Sequence, residues 1–230
     1  MGKMNRLLAG SVAVLGFAAT GAFASPLSVV GVVGGVPTGV SYHNLDNLAL
    51  GNATQAHANA TISFTGSAQA VQGSSSGIYA APYLSNNNGA LFGDPNNGPD
   101  GTTYLTTGIG SVTFQLNTPE EYLGLLWGSV DTYNSISFYN GASLIGTVTG
   151  TDVTAAANGN QGANGTYYVN IDSSASFDKV VFSSTRYAFE FDNLATNSTP
   201  IGVPEPATLA LMGLGLAGLG LVASRRAKRG

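Results

Sequence analysis

Between residues 25 and 200 no stretch sustains a 3.6-residue apolar period over ten residues, whereas apolar side chains recur at every second position in one short run after another. A chain patterned this way can bury its apolar residues as strands but not as helices. Thr61-Ile62-Ser63-Phe64-Thr65 alternates, and Val112-Thr113-Phe114-Gln115-Leu116 places Val, Phe and Leu on one face. Leu27 to Val33 is rich in β-branched residues, and Tyr122 to Trp127 is so continuously apolar that it predicts a strand covered on both sides. Ser135 to Tyr139 and Ser143 to Val148 form a predicted hairpin through Asn140-Gly141, a pair that tolerates positive φ in tight turns. Thr166 to Ile171, Lys179 to Ser183 and Tyr187 to Asp192 complete a set of about nine or ten short strands. The prediction is an all-β fold over residues 25–195, an antiparallel β-sandwich of the jelly-roll kind.

Two stretches break this rhythm. Residues 66–104 carry Ser74-Ser75-Ser76, Asn86-Asn87-Asn88 and Asp94-Pro95-Asn96-Asn97-Gly98-Pro99-Asp100-Gly101, which predicts a long surface excursion with at most a short strand near Ile78-Tyr79. Residues 152–165 predict a second loop, and residues 196–202 a linker.

The ends of the chain are of a different composition. Lys3 and Arg6 precede an apolar core from Leu7 to Ala19 and the small-x-small site Ala22-Phe23-Ala24, so residues 1–24 read as a signal peptide cleaved before Ser25. At the other end Pro204 and Pro206 fix φ and remove two backbone donors, which keeps that segment extended. An uncharged run from Ala207 to Ala223 follows, roughly 26 Å long as a helix and just long enough to cross a bilayer. Arg225, Arg226, Lys228 and Arg229 in the 224–230 tail then hold the cytoplasmic side, which places everything before Pro204 outside. Gly213-Leu214-Gly215-Leu216-Ala217-Gly218 fits the spacing of a dinucleotide fingerprint, but no strand precedes it, and the glycines suit close helix packing in a membrane better.

The order Pro204-Glu205-Pro206, apolar helix, basic cluster resembles the PEP-CTERM sorting signal, over residues 203–230. That resemblance implies export, an inner-membrane-anchored precursor, an exosortase as processing partner, and a mature form at the cell surface or outside the cell. The segment from Tyr122 to Gly141, together with Phe189-Glu-Phe-Asp-Asn-Leu-Ala195, resembles the Npun_F0296-type exosortase-dependent surface proteins, a family described by its sorting and implying no catalytic residue.

Charge and residue chemistry narrow the function further. Residues 25–203 hold two basic side chains, Lys179 and Arg186, against eleven acidic ones, a net charge of −9 that repels phosphate backbones and excludes nucleic acid as a partner. With no cysteine, disulfides and thiolate chemistry are ruled out, and stability outside the cell must come from burial and backbone pairing. His43 and His57 lie in polar, loop-like sequence and read as surface residues, and no serine has nucleophile-motif flanks. Glu120 and Glu121, as strand neighbours, point to opposite faces and cannot form a glycosidase pair. The domain therefore reads as non-enzymatic and without a cofactor.

Two binding possibilities stand beside that reading. A structural Ca2+ ion could sit between Asp46 and Asp192, since Asp46-Asn47-Leu48-Ala49 and Asp192-Asn193-Leu194-Ala195 repeat one motif near the two ends of the domain, where first and last strands are often neighbours. The same Asp-Asn pairs also read as turn residues at strand ends. Asp94, Asn96, Gly98 and Asp100 imitate a calcium loop, but Pro99 holds the glycine position and Leu105 the glutamate position, which excludes an EF-hand. The other possibility is a carbohydrate-binding module for an extracellular polysaccharide, with Trp127, Asp131 and Tyr133, near Asn134 and Tyr139, as the ligand segment. Trp127 in an apolar strand also reads as core.

Overall fold

The computed structural model describes residues 25–32, 40–83 and 98–202. The signal-peptide positions up to Ala22 and Ala24, the Asp94 and Asn96 positions, Pro204-Glu205-Pro206, the 207–223 span and Arg225, Arg226, Lys228 and Arg229 lie outside the described residues. Among the described residues no helix is long and apolar enough to cross a membrane.

Among the described residues eleven strands form one antiparallel sheet: β1 (Leu27–Val32), β2 (Ser41–His43), β3 (Gln55–His57), β4 (Ala60–Gly66), β5 (Gln69–Val71), β6 (Tyr104–Thr107), β7 (Gly110–Gly128), β8 (Asn134–Asn140), β9 (Ser143–Thr149), β10 (Tyr167–Ser184) and β11 (Phe189–Asn197). A short helix, α1 (Gly150–Val153), and a single 3-10 turn at Ala163–Gly165 punctuate the predicted second loop.

Two of these strands organise the rest. The segments expected as separate strands around 112–116 and 122–127 are one strand, β7, and those around 166–171 and 179–183 are one strand, β10. Each runs through two different neighbourhoods. The first half of β7 lies between β4 and the second half of β10, which in turn pairs with β8 and, through it, β9. The second half of β7 lies between β11 and the first half of β10, which pairs on its far side with β1. The crossover falls where β7 carries Pro119, which has no N–H to give a ladder, and where the β7–β10 register slips between Asp172 and Lys179. The runs expected as separate strands on either side of these points are continuous, because each strand passes from one set of neighbours to the next by bending there without a turn.

Residues from both halves meet in one core. Val112, Phe114 and Leu116 are buried on one face, as their alternation predicts, and Leu123, Leu125 and Trp127 continue that face. Tyr122 to Trp127 is covered on both sides: Leu126 and Tyr168 pack outward beneath Tyr83 and Ala163. Phe182 of β10 stacks on Phe191 of β11 with ring centroids 4.1 Å apart and 14° between planes. Phe114 meets Phe182 edge-on at 5.4 Å, and Trp127 stacks on Phe189 at 4.5 Å. Trp127 is thus wholly enclosed, which removes it from the proposed ligand segment.

The β8–β9 hairpin forms where expected, with its turn one residue later: Asn140 pairs with Ser143, so Gly141 and Ala142 are the central pair. Gly141 takes φ 58 with nothing near its missing side chain, so backbone freedom and not space explains the glycine. The tip is tied to the bend of β10 by Gly141 N–H to Asp178 Oδ1 (2.9 Å), Lys179 Nζ to the Gly141 carbonyl (3.1 Å) and Asn140 Nδ2 to the Ser176 carbonyl (3.0 Å).

The short strands β2, β3, β5 and β6 were not legible in the sequence, since three or four residues carry too little period to read. β11 also runs past the predicted domain end at 195 to Asn197, and Ile201 N–H donates to Asp172 Oδ1 at 2.9 Å, so the first part of the expected linker is docked.

Phe182 touches both halves, so Phe182→Ala should destabilise the protein by about 3–5 kcal/mol and Phe182→Leu by less than about 1.5 kcal/mol. Urea unfolding of the purified variants checks the ranking; equal losses would contradict it, since leucine would then recover nothing by filling the volume.

Candidate functional site

A polar cleft of about 610 Å3 opens at one end of the sheet, beside the start of β11. Four segments build it. The first is the Ser74–Ala80 turn, closed by Tyr79 N–H to the Ser75 carbonyl (3.0 Å) and Ser75 N–H to the Tyr79 carbonyl (2.9 Å). Its far end is anchored by Ala80 N–H to Glu190 Oε1 (2.8 Å) and Ala81 N–H to Ser74 Oγ (2.9 Å). The second is the turn after β7, which carries Ser129, Asp131 and Tyr133. The third is the Gly159–Gln161 loop, drawn in by Gly159 N–H to the Val130 carbonyl (3.0 Å). Gly159 has φ 71, and a Cβ there would lie 2.5 Å from Asp131 Oδ2, so both its backbone and its closeness to the carboxylate require glycine. Tyr187, Ala188 and Glu190 form the fourth.

Glu190 is the buried group of this site, 2 % exposed. Its Oε2 accepts from Ser129 Oγ at 2.5 Å, its Oε1 from Ala80, and it thereby links β7, β11 and the Ser74–Ala80 turn. Burial pushes its carboxyl up to about 7 against the lowering by those two donors, and the Asp131 charge adds to the rise. Tyr133 is half-buried; its hydroxyl donates to the Tyr187 carbonyl at 3.2 Å, and burial together with Asp131 raises its pKa. Arg186 lies 5.6 Å over the Tyr133 ring and covers one face, whereas Tyr187 is 48 % exposed.

The structure thus brings Asp131 and Tyr133 together as the sequence suggested, and adds Tyr187, Glu190 and Gln161, for which the sequence carried no signal. Asn134 and Tyr139 stand apart from the cleft. Asn134 Nδ2 donates to the Ala188 carbonyl (3.2 Å) and its Oδ1 accepts from Ser184 Oγ (2.8 Å), while Tyr139 lies under the Lys179 ammonium at 4.5 Å.

The two histidines are not loop residues. His43 is in β2 and His57 in β3; burial and then, for His43, the neighbouring His57 lower their pKa values, and both line a cavity of about 10 Å3. That space is at the lower limit for one water. Glu120 and Glu121 do part to opposite partners: Glu120 accepts from Asn59 Nδ2 (3.1 Å) and Glu121 from Ser176 Oγ (2.9 Å).

Asp192, two residues past Glu190, is fully buried, and neither of its oxygens has a hydrogen-bond partner. Burial first, and the facing Asp100 carboxylate second, hold its carboxyl well above the usual range, with Asp46 adding to the rise; the Asn193 N–H opposes it without completing a hydrogen bond. The charge of Asp46 therefore reaches Asp192, and Asp100 faces Asp192 from the breaker-rich loop. Among the described residues no three His, Cys, Asp or Glu side chains are already set as a metal cage.

Comparison with protein families matches residues 202–226 to the PEP-CTERM protein-sorting motif. The chain carries this exosortase sorting signal; the match does not reach the 122–141 and 189–195 segments. No curated protein and no solved structure matches the chain.

Because the fold favours the neutral form of Glu190, its contribution is fully present below pH about 4.5 and is lost as pH rises through about 7. Glu190→Gln keeps the Ala80 donor and can donate to Ser129 Oγ, so it should match the parent at pH 4 and exceed it by up to about 3 kcal/mol at pH 8. Melting curves across that range check this; parallel curves for the two proteins would contradict it.

Proposed function

We propose that this chain is an exported surface or extracellular-matrix protein, anchored as a precursor in the inner membrane by residues 207–223 and processed by an exosortase, and that its folded part is a non-enzymatic β-sandwich. The sorting motif at residues 202–226 carries this reading. A net negative charge and a core built without cysteine suit a protein that works outside the cell. The non-enzymatic reading is supported by the histidines, which face a cavity too small for a substrate. Pro204→Ala with Pro206→Ala leaves the apolar span and basic tail intact while allowing the helix to extend upstream. In a host with an exosortase this variant should accumulate uncleaved in the membrane fraction; processing equal to the parent's, read by immunoblot, would refute the reading.

A second reading concerns what the exported domain binds. The cleft has the size of a small-ligand site and combines the carboxylate of Asp131, the amide of Gln161 and four serines with the exposed ring of Tyr187. Carboxylate and amide groups suit sugar hydroxyls, and an open aromatic face suits a pyranose ring. We therefore propose an extracellular saccharide as its ligand. On a glycan array the protein should retain a defined set of saccharides, and Tyr187→Ala should weaken that binding about tenfold. No retained glycan, or retention unchanged by Tyr187→Ala and Asp131→Ala, would remove this reading.

A further inference from the structure

β11 changes its outer neighbour in mid-strand. Residues 189–191 pair with β6, residues 194–196 pair with β2, and Asp192 and Asn193 lie in the gap between. β2 leaves this gap through the turn that holds Asp46, and β6 is entered through the loop that holds Asp100. Three chain segments far apart in sequence therefore bring carboxylates to the two sides of this gap, near enough for the charges of Asp100 and Asp46 to act on Asp192. Asp192 supplies two buried oxygens without partners. Asp100, 3 % exposed, uses Oδ1 to accept from Thr102 N–H (2.7 Å) and Thr102 Oγ1 (2.5 Å), while Oδ2 is buried and without a partner. Asp46 accepts from Asn44 Nδ2 at Oδ2 (3.2 Å) and likewise has Oδ1 buried and without a partner. Asn193, adjacent in the chain, is 1 % exposed, and neither atom of its amide is paired.

A buried acid normally finds a donor, and leaving one without costs the full desolvation of the group. Here the described surroundings offer Asp192 mainly like charge, from Asp100 and Asp46, with only the Asn193 N–H opposing it and no completed hydrogen bond. We propose that Asp192, Asp100 Oδ2 and Asp46 Oδ1 form a structural Ca2+ site that closes the gap between β2 and β6 on β11. The chemistry selects the ion: hard oxygens only, three carboxylates, and two of them, Asp46 and Asp100, on loops that can adjust to a flexible coordination sphere, where Mg2+ would require a near-ideal octahedron and keep several waters. Asp46, half-exposed on a turn, is the ligand able to swing inward and complete the set, with backbone carbonyls or water filling the remaining positions.

The test uses the full chain, purified and treated with chelator, and Ca2+ alone as the probe. Bound calcium should be detectable by elemental analysis before chelation. At free Ca2+ a hundredfold above its Kd, Tm should rise by about 5–10 °C. Asp192→Asn should abolish that rise, and Asp46→Asn, at a more exposed position that leaves the fold intact, should demand at least about tenfold more calcium for the same shift. Should Asp192→Asn fail to fold, the Asp46→Asn titration still decides. Absence of bound metal together with an identical Tm in chelator and in calcium would overturn the proposal, as would an unchanged calcium titration in Asp46→Asn. In the first case Asp192 and Asp100 share a proton, and Asp192→Asn should raise Tm.

Discussion

The contact on which the rest of the structure depends is the stack of Phe182 on Phe191, together with the edge of Phe114. Phe182 belongs to the half of β10 that pairs with β8, and Phe191 to the strand beside the other half of β7. Because β7 and β10 are members of both halves, neither half can form its full ladder until the other is in place. Hydrogen bonding along two long strands and burial of seven aromatic rings between them are thus one cooperative event, which is how a chain without cysteine can hold a fold outside the cell.

β11 translates that core into chemistry. Its alternation sends Phe189 and Phe191 into the core and Glu190 and Asp192 to the opposite face, where the segments around Ser74–Pro82 and Asp100–Thr103 cover them. Two acids two residues apart meet different surroundings. Glu190 finds a hydroxyl and an N–H and becomes a strut for the cleft wall, whereas Asp192 finds Asp100 and becomes the centre of an acidic cluster. The cleft and the cluster are therefore positioned by the same strand, and the polar composition of the 66–104 region hides that its described segments at 74–82 and 100–103 cover both.

The covered state of that face also explains why β11 is buried along nearly its whole length. Tyr104 and Leu105, inside a stretch too polar to suggest core, are fully buried because β6 sits directly against β11. Their enclosure is a property of the neighbour and not of the residues around them in sequence.

What the amino-acid sequence determined by itself is what depends on local period and local chemistry. Alternation at Val112-Phe114-Leu116, the continuous run at 122–127, the Gly141 turn and the two-proline, apolar and basic order of the tail are each legible within a dozen or so residues, because strand faces, turns and membrane segments obey short-range rules. Tertiary structure alone decided which segments join into β7 and β10, that Trp127 is spent on the core, that Tyr187 and Glu190 complete the cleft of Asp131 and Tyr133, and that Asp100 stands against Asp192. Those outcomes turn on partners tens of residues away, and no local period encodes the identity of a strand's neighbour or the donor that a buried carboxylate will or will not find.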